Sequence, residues 1–297
     1  MGKGMKAFLI TACVCILVGM VMLIGVLACG GKDAVAQAIN GGVYFSQDGF
    51  HVGGMKVFED TANMEVDEGK EMEFAAGEIK NLDIELAAGT FEIVEGDADK
   101  IIIRSAKKIR VAQSGSTLKI DTGKRVKVHF FGVTDEENHV EITLPKDKEF
   151  HTIDLEIGAG TMNADALLGE ELEVEIGAGE IIVDELACEK ARISVGAGKA
   201  VVDNGVAEEL DLDVGMGELW YAGSLTGDLD ADCGMGSMDI RLDAKEEEYD
   251  YQIDVGMGDI TIGNNSYGGM AQSQEIDNDA DAKMDLDCGM GSINIKF

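Results

Sequence analysis

Apolar and polar residues alternate along most of the C-terminal three quarters of the chain, and short glycine-containing triplets interrupt the alternation. In Leu172–Ile176, for example, apolar residues occupy every second position and glutamates lie between them. This period of two is typical of a β-strand with one buried face. Helices are disfavoured because the recurring glycines are poor helix formers. The pattern therefore predicts short strands separated by corners.

The triplets, Gly-Ala-Gly or Gly-Met-Gly, recur at a fixed period. Each begins 19 residues after the one before, except the last two, which follow after steps of 22 and 33 residues. The triplets begin at Gly158, Gly177, Gly196, Gly215, Gly234, Gly256 and Gly289. A period near 20 residues indicates stacked units that bury their apolar faces against their neighbours. We therefore predict an all-β fold, a single-chain β-solenoid built as a β-helix-like stack of coils.

The solenoid is predicted to begin before the regular triplets. Alternating apolar residues in Asn81–Leu86 precede Ala87-Ala88-Gly89, which copies the triplet with alanine for the first glycine. We place the solenoid over 72–297, with irregular coils in 72–151 and regular Gly-x-Gly coils in 152–297. The two longer steps predict extra loops at 244–250 and 264–281.

The N-terminal part of the chain has the pattern of a membrane anchor. Residues 7–29 form one apolar run without charge, long enough for a spanning helix. Lys3 and Lys6 precede this run, so the positive-inside rule predicts a cytoplasmic tip at 1–6 and an exported body. A cleaved signal peptide is one alternative. A lipoprotein lipidated at Cys29 is another, because Val26–Gly30 resembles a lipobox. Residues 30–71 are predicted to be a juxtamembrane linker with weak strands, at 43–45 and 50–52.

Strand parity also predicts which residues enter the core. The central triplet residues are Ala159, Ala178, Ala197, Met216, Met235, Met257 and Met290. Counting alternate positions from Ile176 predicts that they point inward, so that the methionines form a ladder in the core. Cys233, Val255 and Cys288 share another inward column. With Val255 between them, the two cysteines lie two coils apart, too far for a disulfide, and we predict two reduced, buried thiols.

The chain is strongly acidic, with 57 Asp and Glu against 24 Lys and Arg. This balance argues against binding to a phosphate backbone. Outward aspartates repeat in successive coils at Asp211, Asp213, Asp230, Asp232, Asp285 and Asp287. Stacked like charges repel, and Ca²⁺ could relieve this repulsion. The alternative is a solvated face that keeps the protein soluble. One basic section, 107–127, is expected to cap the stack or pair with acidic neighbours.

No motif for catalysis or for a cofactor stands out. The triplets lack the third glycine and the following helix of a dinucleotide loop, so we predict no nucleotide site. The four histidines show no metal-ligand spacing, and no nucleophile elbow is present. Trp220 is expected to face outward, either as a contact for a sugar or partner or as an indole packed at an edge. We predict a protein that is not an enzyme, with no catalytic, cofactor or metal-site residues.

The strand Val140–Pro145, followed by tandem Gly-x-Gly coils behind one N-terminal anchor, resembles the bacterial putative-adhesin family. This family of domains of unknown function includes LiaG-like proteins of Gram-positive envelopes. The resemblance covers Leu82–Phe297 and implies a membrane-anchored β-solenoid that faces outward. The expected role is surface interaction or envelope scaffolding, with an envelope protein or glycan as partner. The alternatives are a regulatory partner in envelope-stress signalling and a carbohydrate-active enzyme.

Overall fold

The computed structural model describes residues 43–46, 49–52, 64–66, 71–122, 138–269 and 271–297. The chain divides into two compact units, Met1–Glu59 and Asp60–Phe297. Within the described residues, no helix is both long and apolar enough to cross a membrane. The predicted anchor at 7–29 lies outside these residues, as do residues 123–127 of the basic section.

In the first unit, the structure describes one antiparallel hairpin. It consists of β1 (Val43–Ser46) and β2 (Gly49–Val52), with Val43 opposite Val52. The weak strands predicted in the linker are therefore present.

The second unit is a stack of β-strands that begins with short, irregular elements. These are β3 (Met64–Val66), β4 (Glu71–Ala75), a 3₁₀ turn (Ala76–Glu78), β5 (Asn81–Leu86), β6 (Thr90–Gly96), β7 (Lys100–Ser105), β8 (Ile109–Ser114), β9 (Thr117–Asp121) and β10 (His139–Pro145). The regular part opens with β11 (Glu149–Ile157), β12 (Thr161–Ile176), β13 (Glu180–Val195) and β14 (Lys199–Val214).

The later coils have shorter strands. They are β15 (Glu218–Leu225), β16 (Leu229–Cys233), β17 (Ser237–Leu242), a 3₁₀ turn (Glu246–Glu248), β18 (Tyr249–Val255), β19 (Asp259–Ile262), β20 (Asn265–Gly268), β21 (Gln272–Ile276), β22 (Ala282–Cys288) and β23 (Ser292–Lys296). The segment 264–281, predicted as a loop, thus contains two strands. Both pair antiparallel with the preceding coil, β20 with β19 and β21 with β18.

The coils stack in parallel register and form two walls that meet at the triplets. The first wall, which precedes the triplets, runs in the order β9, β5, β11, β12, β13, β14, β16, β22, β18. The second wall, which follows them, runs β10, β6, β12, β13, β14, β15, β17, β23, β19. The long strands β12, β13 and β14 contribute to both walls. These pairings confirm the all-β stack of repeats.

The alternating pattern fills the space between the walls. In one coil Leu172, Val174 and Ile176 are buried, followed by Ile181 and Val183 after the corner. Parallel pairing repeats the same positions in every coil, so each inward position becomes a column through the core. Burial of these columns against neighbouring coils drives the stack together.

The triplet corner requires glycine because the backbones of successive coils approach closely there. A Cβ atom added to Gly179 would lie 2.4 Å from the carbonyl oxygen of Gly160 in the coil below. The amide of Ala178 donates a 2.8 Å hydrogen bond to the Gly158 carbonyl. A side chain in place of Gly179 would therefore disrupt the stacking of the two coils.

Both ends of the stack are covered by antiparallel strands. At one end β8 pairs with β9 and β7 pairs with β10; at the other, β21 pairs with β18 and β20 with β19. Exposed edges of parallel sheets can recruit further chains. The antiparallel strands shield these edges.

The coils do not stack in the order of the chain, which corrects one prediction. The C-terminal coil, β22 and β23, lies between the coil of β16 and β17 and the coil of β18 and β19. In the strand register, Cys288 therefore lies directly opposite Cys233 on one side and Val255 on the other. The predicted separation of two coils between the cysteines was wrong. The apolar columns allow either order, because each coil presents similar inward residues.

The direction of the central triplet residue is a second correction. The side chains of Met216, Met235, Met257 and Met290 are 63%, 55%, 54% and 51% exposed. The predicted methionine ladder in the core was wrong because the bend interrupts strand parity. Both the last residue before the triplet and the second residue after it point inward, while the centre of the triplet points to solvent.

Exposure predicts different responses at two methionines only three residues apart. We expect Met238→Ala, at a position 1% exposed, to lower the free energy of unfolding by about 2–4 kcal/mol because it leaves a cavity. Met235→Ala, at the corner, should change it by less than about 0.5 kcal/mol. Urea unfolding of both variants against the parent measures the difference. Equal losses would contradict the outward orientation.

The coil order can be tested with engineered cysteines on the second wall. The Asn294 side-chain amide donates a 2.7 Å hydrogen bond to the Asp239 carboxylate, so Asp239→Cys with Asn294→Cys should form a disulfide on mild oxidation. In the control, Asp239→Cys with Thr261→Cys, strand β23 lies between the two positions. Peptide mass spectrometry should find the first crosslink and not the second. Stacking in chain order would give the reverse result.

Candidate functional site

The outward side of the first wall carries two columns of mostly acidic residues, which we call the acidic face. One column consists of Asp83, Asp154, Glu173, Arg192, Asp211, Asp230, Asp285 and Gln252. The other consists of Glu85, Glu156, Glu175, Ser194, Asp213, Asp232, Asp287 and Asp254. The predicted aspartate ladders are therefore real columns, and they extend further along the stack than the sequence analysis proposed.

The columns place like charges close together, and the pKa values of several of their carboxyl groups are raised. Burial, reinforced by the charge of Glu156, raises the pKa of Glu175 to about 7. Burial and the charge of Asp287 raise the pKa of Asp232 to about 6. The pKa values of five further acids are raised, with burial as the main cause: Asp154, Glu156, Asp213, Asp230 and Asp287. The acidic face thus holds its charges at a cost to stability.

A few basic side chains offset this repulsion locally. The Lys119 ammonium contacts Asp83 at 2.8 Å and Glu85 at 2.6 Å. Burial alone would lower the pKa of Lys119, but these hydrogen bonds raise it. Arg192 forms an ion pair with Asp211, and Arg110 forms one with Asp121. The expectation that the basic section pairs with acidic neighbours is confirmed at Lys119 and Arg110.

An open groove borders the acidic face near the middle of the stack. It is lined by Lys190, Glu209, Leu210, Asp211, Asp228, Leu229, Asp230, Lys283 and Asp285. Side chains of both signs pair within it, since Lys190 contacts Glu209 at 3.0 Å and Lys283 contacts Asp285 at 3.2 Å. This lining mixes apolar and charged side chains, several of which pair with one another, unlike the mostly apolar pocket of a small-molecule site.

Within the described part of the chain, no three His, Cys, Asp or Glu side chains are grouped to hold a metal ion. The carboxylates form extended columns in which neighbouring groups point the same way, rather than converging on one point. Calcium on the acidic face stays an untested alternative to a solvated face.

Trp220 faces outward and is half-buried, and the next residue, Tyr221, is fully buried. The Arg241 guanidinium lies 4.5 Å from the centre of the indole ring. This cation–π contact favours a packed indole over an open sugar platform. Cys188 is half-buried, and burial raises the pKa of its thiol to about 12, so this thiol is a poor nucleophile.

Sequence reasoning missed the exposed methionines at the corner. Met216, Met235, Met290 and Met257 follow one another in four successive coils, and we call them the methionine row. The amide of each donates to the carbonyl of the first triplet glycine in the neighbouring coil, at 2.6–2.7 Å. The change from alanine to methionine at the triplet centre was the available signal. Whether the methionine side chain points into the core or into solvent depends on the geometry of the bend, which the sequence pattern does not give.

Comparison with known families identifies the chain. A family model described as Toastrack DUF4097 matches residues 72–288. The chain belongs to the Toastrack family. The match begins where the solenoid was predicted to begin, and it confirms the resemblance to a family of domains of unknown function.

Several solved structures are similar to this Toastrack chain. A putative adhesin from Bacteroides fragilis shares 14% identity, covering 77% of this chain and 98% of its own, with a TM-score of 0.42. One from Parabacteroides merdae shares 14% identity, covering 77% and 96%, with a TM-score of 0.40. A putative cell adhesion protein from Clostridium sporogenes shares 12%, covering 77% and 99%, with a TM-score of 0.29. No curated protein matches the chain significantly. Likenesses this distant say nothing about a ligand.

The charge repulsion on the acidic face predicts a pH-dependent stability. With its pKa raised to about 7, Glu175 binds a proton more readily in the folded than in the unfolded chain. The free energy of unfolding should therefore fall as the pH rises from about 4.5 to about 7. Glu175→Gln should stabilise the protein at pH ~8 by about 1 kcal/mol, after allowance for solvent screening, and have little effect at pH ~4.5.

The control is Glu208→Gln, an exposed glutamate outside both columns. Urea unfolding of each variant at the two pH values tests the prediction. Equal effects of the two substitutions at high pH would show that repulsion at Glu175 is not the cause.

Proposed function

We propose that this Toastrack protein is a membrane-anchored surface-interaction protein whose acidic face binds cationic groups of cell-envelope components. The observation that supports this most is the length of the two mostly acidic columns, whose acids run from Asp83 to Asp285 in one and from Glu85 to Asp254 in the other. The basic side chains within the fold relieve the repulsion only in places, as the raised pKa values of Glu175 and Asp232 indicate. A cationic partner would relieve the rest, so binding and charge relief are coupled.

The shape of the acidic face supports binding rather than catalysis. A catalytic site concentrates a few groups with distinct environments around one point. In the described coils similar acids repeat along the columns rather than gathering around one point. The periodic surface suits an extended partner, such as a basic protein segment or a glycan with amino groups.

The sequence supports an exported location for this face. The apolar run at 7–29 follows Lys3 and Lys6, so insertion with the N-terminus inside would place the solenoid on the outer side of the membrane. A lipid anchor on Cys29 would leave the solenoid on the same side.

Binding can be tested with full-length protein in detergent micelles and envelope fragments of the producing cell, measured by co-sedimentation. The variant replaces Asp230, Asp232, Asp285 and Asp287 by Asn. Its affinity should fall by about tenfold or more, since four exposed ion pairs of about 0.5 kcal/mol each give about 2 kcal/mol. Raised salt should weaken parent binding as well.

A control variant with the same change in net charge replaces four exposed acids outside the acidic face, Asp203, Glu208, Asp243 and Glu247, by amides. It should bind like the parent. Equal losses in both variants would indicate a general charge effect and contradict a role for the acidic face. Release of soluble sugars from the fragments would instead favour an enzyme. Capture of a membrane sensor would favour the signalling alternative.

The proposed topology has its own test. Protease added to intact protoplasts should remove the protein beyond about residue 33, whereas the same protease should leave a cytoplasmic marker protein intact. Full protection of the solenoid until the membrane is opened would contradict an external location.

A further inference from the structure

The methionine row places four exposed thioethers side by side along one edge of the solenoid. Backbone hydrogen bonds of 2.6–2.7 Å, from amide nitrogen to carbonyl oxygen, connect the corners of neighbouring coils. The methionine side chains therefore project from a regular line of backbone. The interleaved C-terminal coil places Met290 between Met235 and Met257. The row is thus continuous over four coils.

The fold itself does not need methionine at these positions. In the earlier coils Ala159, Ala178 and Ala197 occupy the same place in the triplet and form the same corner hydrogen bonds. The methionines are more than half exposed, so they contribute little to the core. An unbroken row of large apolar side chains on the surface of a protein usually marks a binding site.

The chemistry of the row points to a soft cation. Thioether sulfur is a soft, polarizable donor that selects ions such as Cu(I) over Ca²⁺ or Mg²⁺. Successive strands of a sheet lie about 4.7–4.9 Å apart. Two metal–sulfur bonds of about 2.3 Å each, the length found in zinc–thiolate sites, span up to about 4.6 Å. Adjacent methionines, each with three rotatable bonds, can therefore share one ion with little movement of the backbone.

The charges beside the row favour a cation over an apolar partner. Three residues before each methionine stands an aspartate of the acidic face: Asp213, Asp232, Asp287 or Asp254. Two residues after Met216 and Met257 stand Glu218 and Asp259, both exposed. An apolar protein segment on the row would have to desolvate these carboxylates. A small monovalent cation would instead be attracted by them.

We propose that the methionine row binds a soft monovalent cation of the Cu(I) class, with neighbouring thioethers as its ligands. The site is separate from the proposed contact with the envelope, since its ligands are the methionines at the corner rather than the carboxylates of the wall.

The test uses Ag(I) as a redox-stable probe and the full-length protein in a chloride-free detergent buffer. Coordination uses one of the two sulfur lone pairs and withdraws electron density from the other, so a metal-bound thioether reacts with peroxide much more slowly than a free one. At a tenfold excess of free Ag(I) over its Kd, only about one-tenth of the sites remain free. Oxidation of Met216, Met235, Met257 and Met290 by hydrogen peroxide should therefore slow by about tenfold. Peptide mass spectrometry locates each sulfoxide.

Matched variants assign the bound metal to its ligands. Replacing all four methionines of the row by Leu keeps the apolar volume and should lower the Ag(I) retained per chain after desalting by at least about one ion. Leu at the buried methionines Met162, Met238 and Met284 is the control and should leave the retained Ag(I) unchanged. Circular dichroism checks that each variant folds.

A third variant, with Ala at all six cysteines of the full-length chain, separates thiol binding from thioether binding. The loss of one ion caused by the row substitution should persist in this background. Unchanged Ag(I) retention in the row variant, or peroxide oxidation of the row that Ag(I) does not slow in the parent, would overturn the proposal.

Discussion

The close approach of backbones at the triplet corners is the constraint on which the rest of the structure depends. A Cβ atom on Gly198 would lie 2.1 Å from the Gly179 carbonyl oxygen, and the same clash recurs at the second glycine of the other triplets. Glycine there lets coils stack at the normal sheet spacing in strict register. That register in turn aligns every other position of the repeat into a column.

The same alignment that builds the core also creates the chemistry of the surface. Inward columns gain from contact with their copies above and below, since apolar side chains pack well against one another. Outward columns repeat equally faithfully, but acids such as Glu175 and Asp232 then face charges of the same sign. This repulsion between like charges occurs along the outward side of the first wall. The corner, which belongs to neither wall, carries the methionine row.

Sequence alone predicted the strands, the corners and the inward positions within each wall, because burial imposes the period of two directly on the chain. The sequence-based prediction failed where burial does not impose a period of two. Parity cannot be counted through the bend at Gly215–Gly217, so the direction of Met216 was misjudged. Coil order was also out of reach, because the inward pattern of the C-terminal coil suits a place beyond Val255 as well as its actual place between Cys233 and Val255. The acidic columns could be predicted locally, but their full length required knowing which strands are neighbours.

The interleaved C-terminal coil also determines when the domain can be completed. A chain that emerges from its N-terminus can add coils one by one as far as β17. The next coil, of β18 and β19, then has only the antiparallel strands β20 and β21 as permanent neighbours until β22 and β23 arrive and insert between it and the coil of β16 and β17. During synthesis or export, the apolar residues of this coil stay incompletely buried until the last segment of the polypeptide has folded. The C-terminal coil thus completes the stack, and a nascent chain that lacks it would expose an unpaired strand edge that is prone to association.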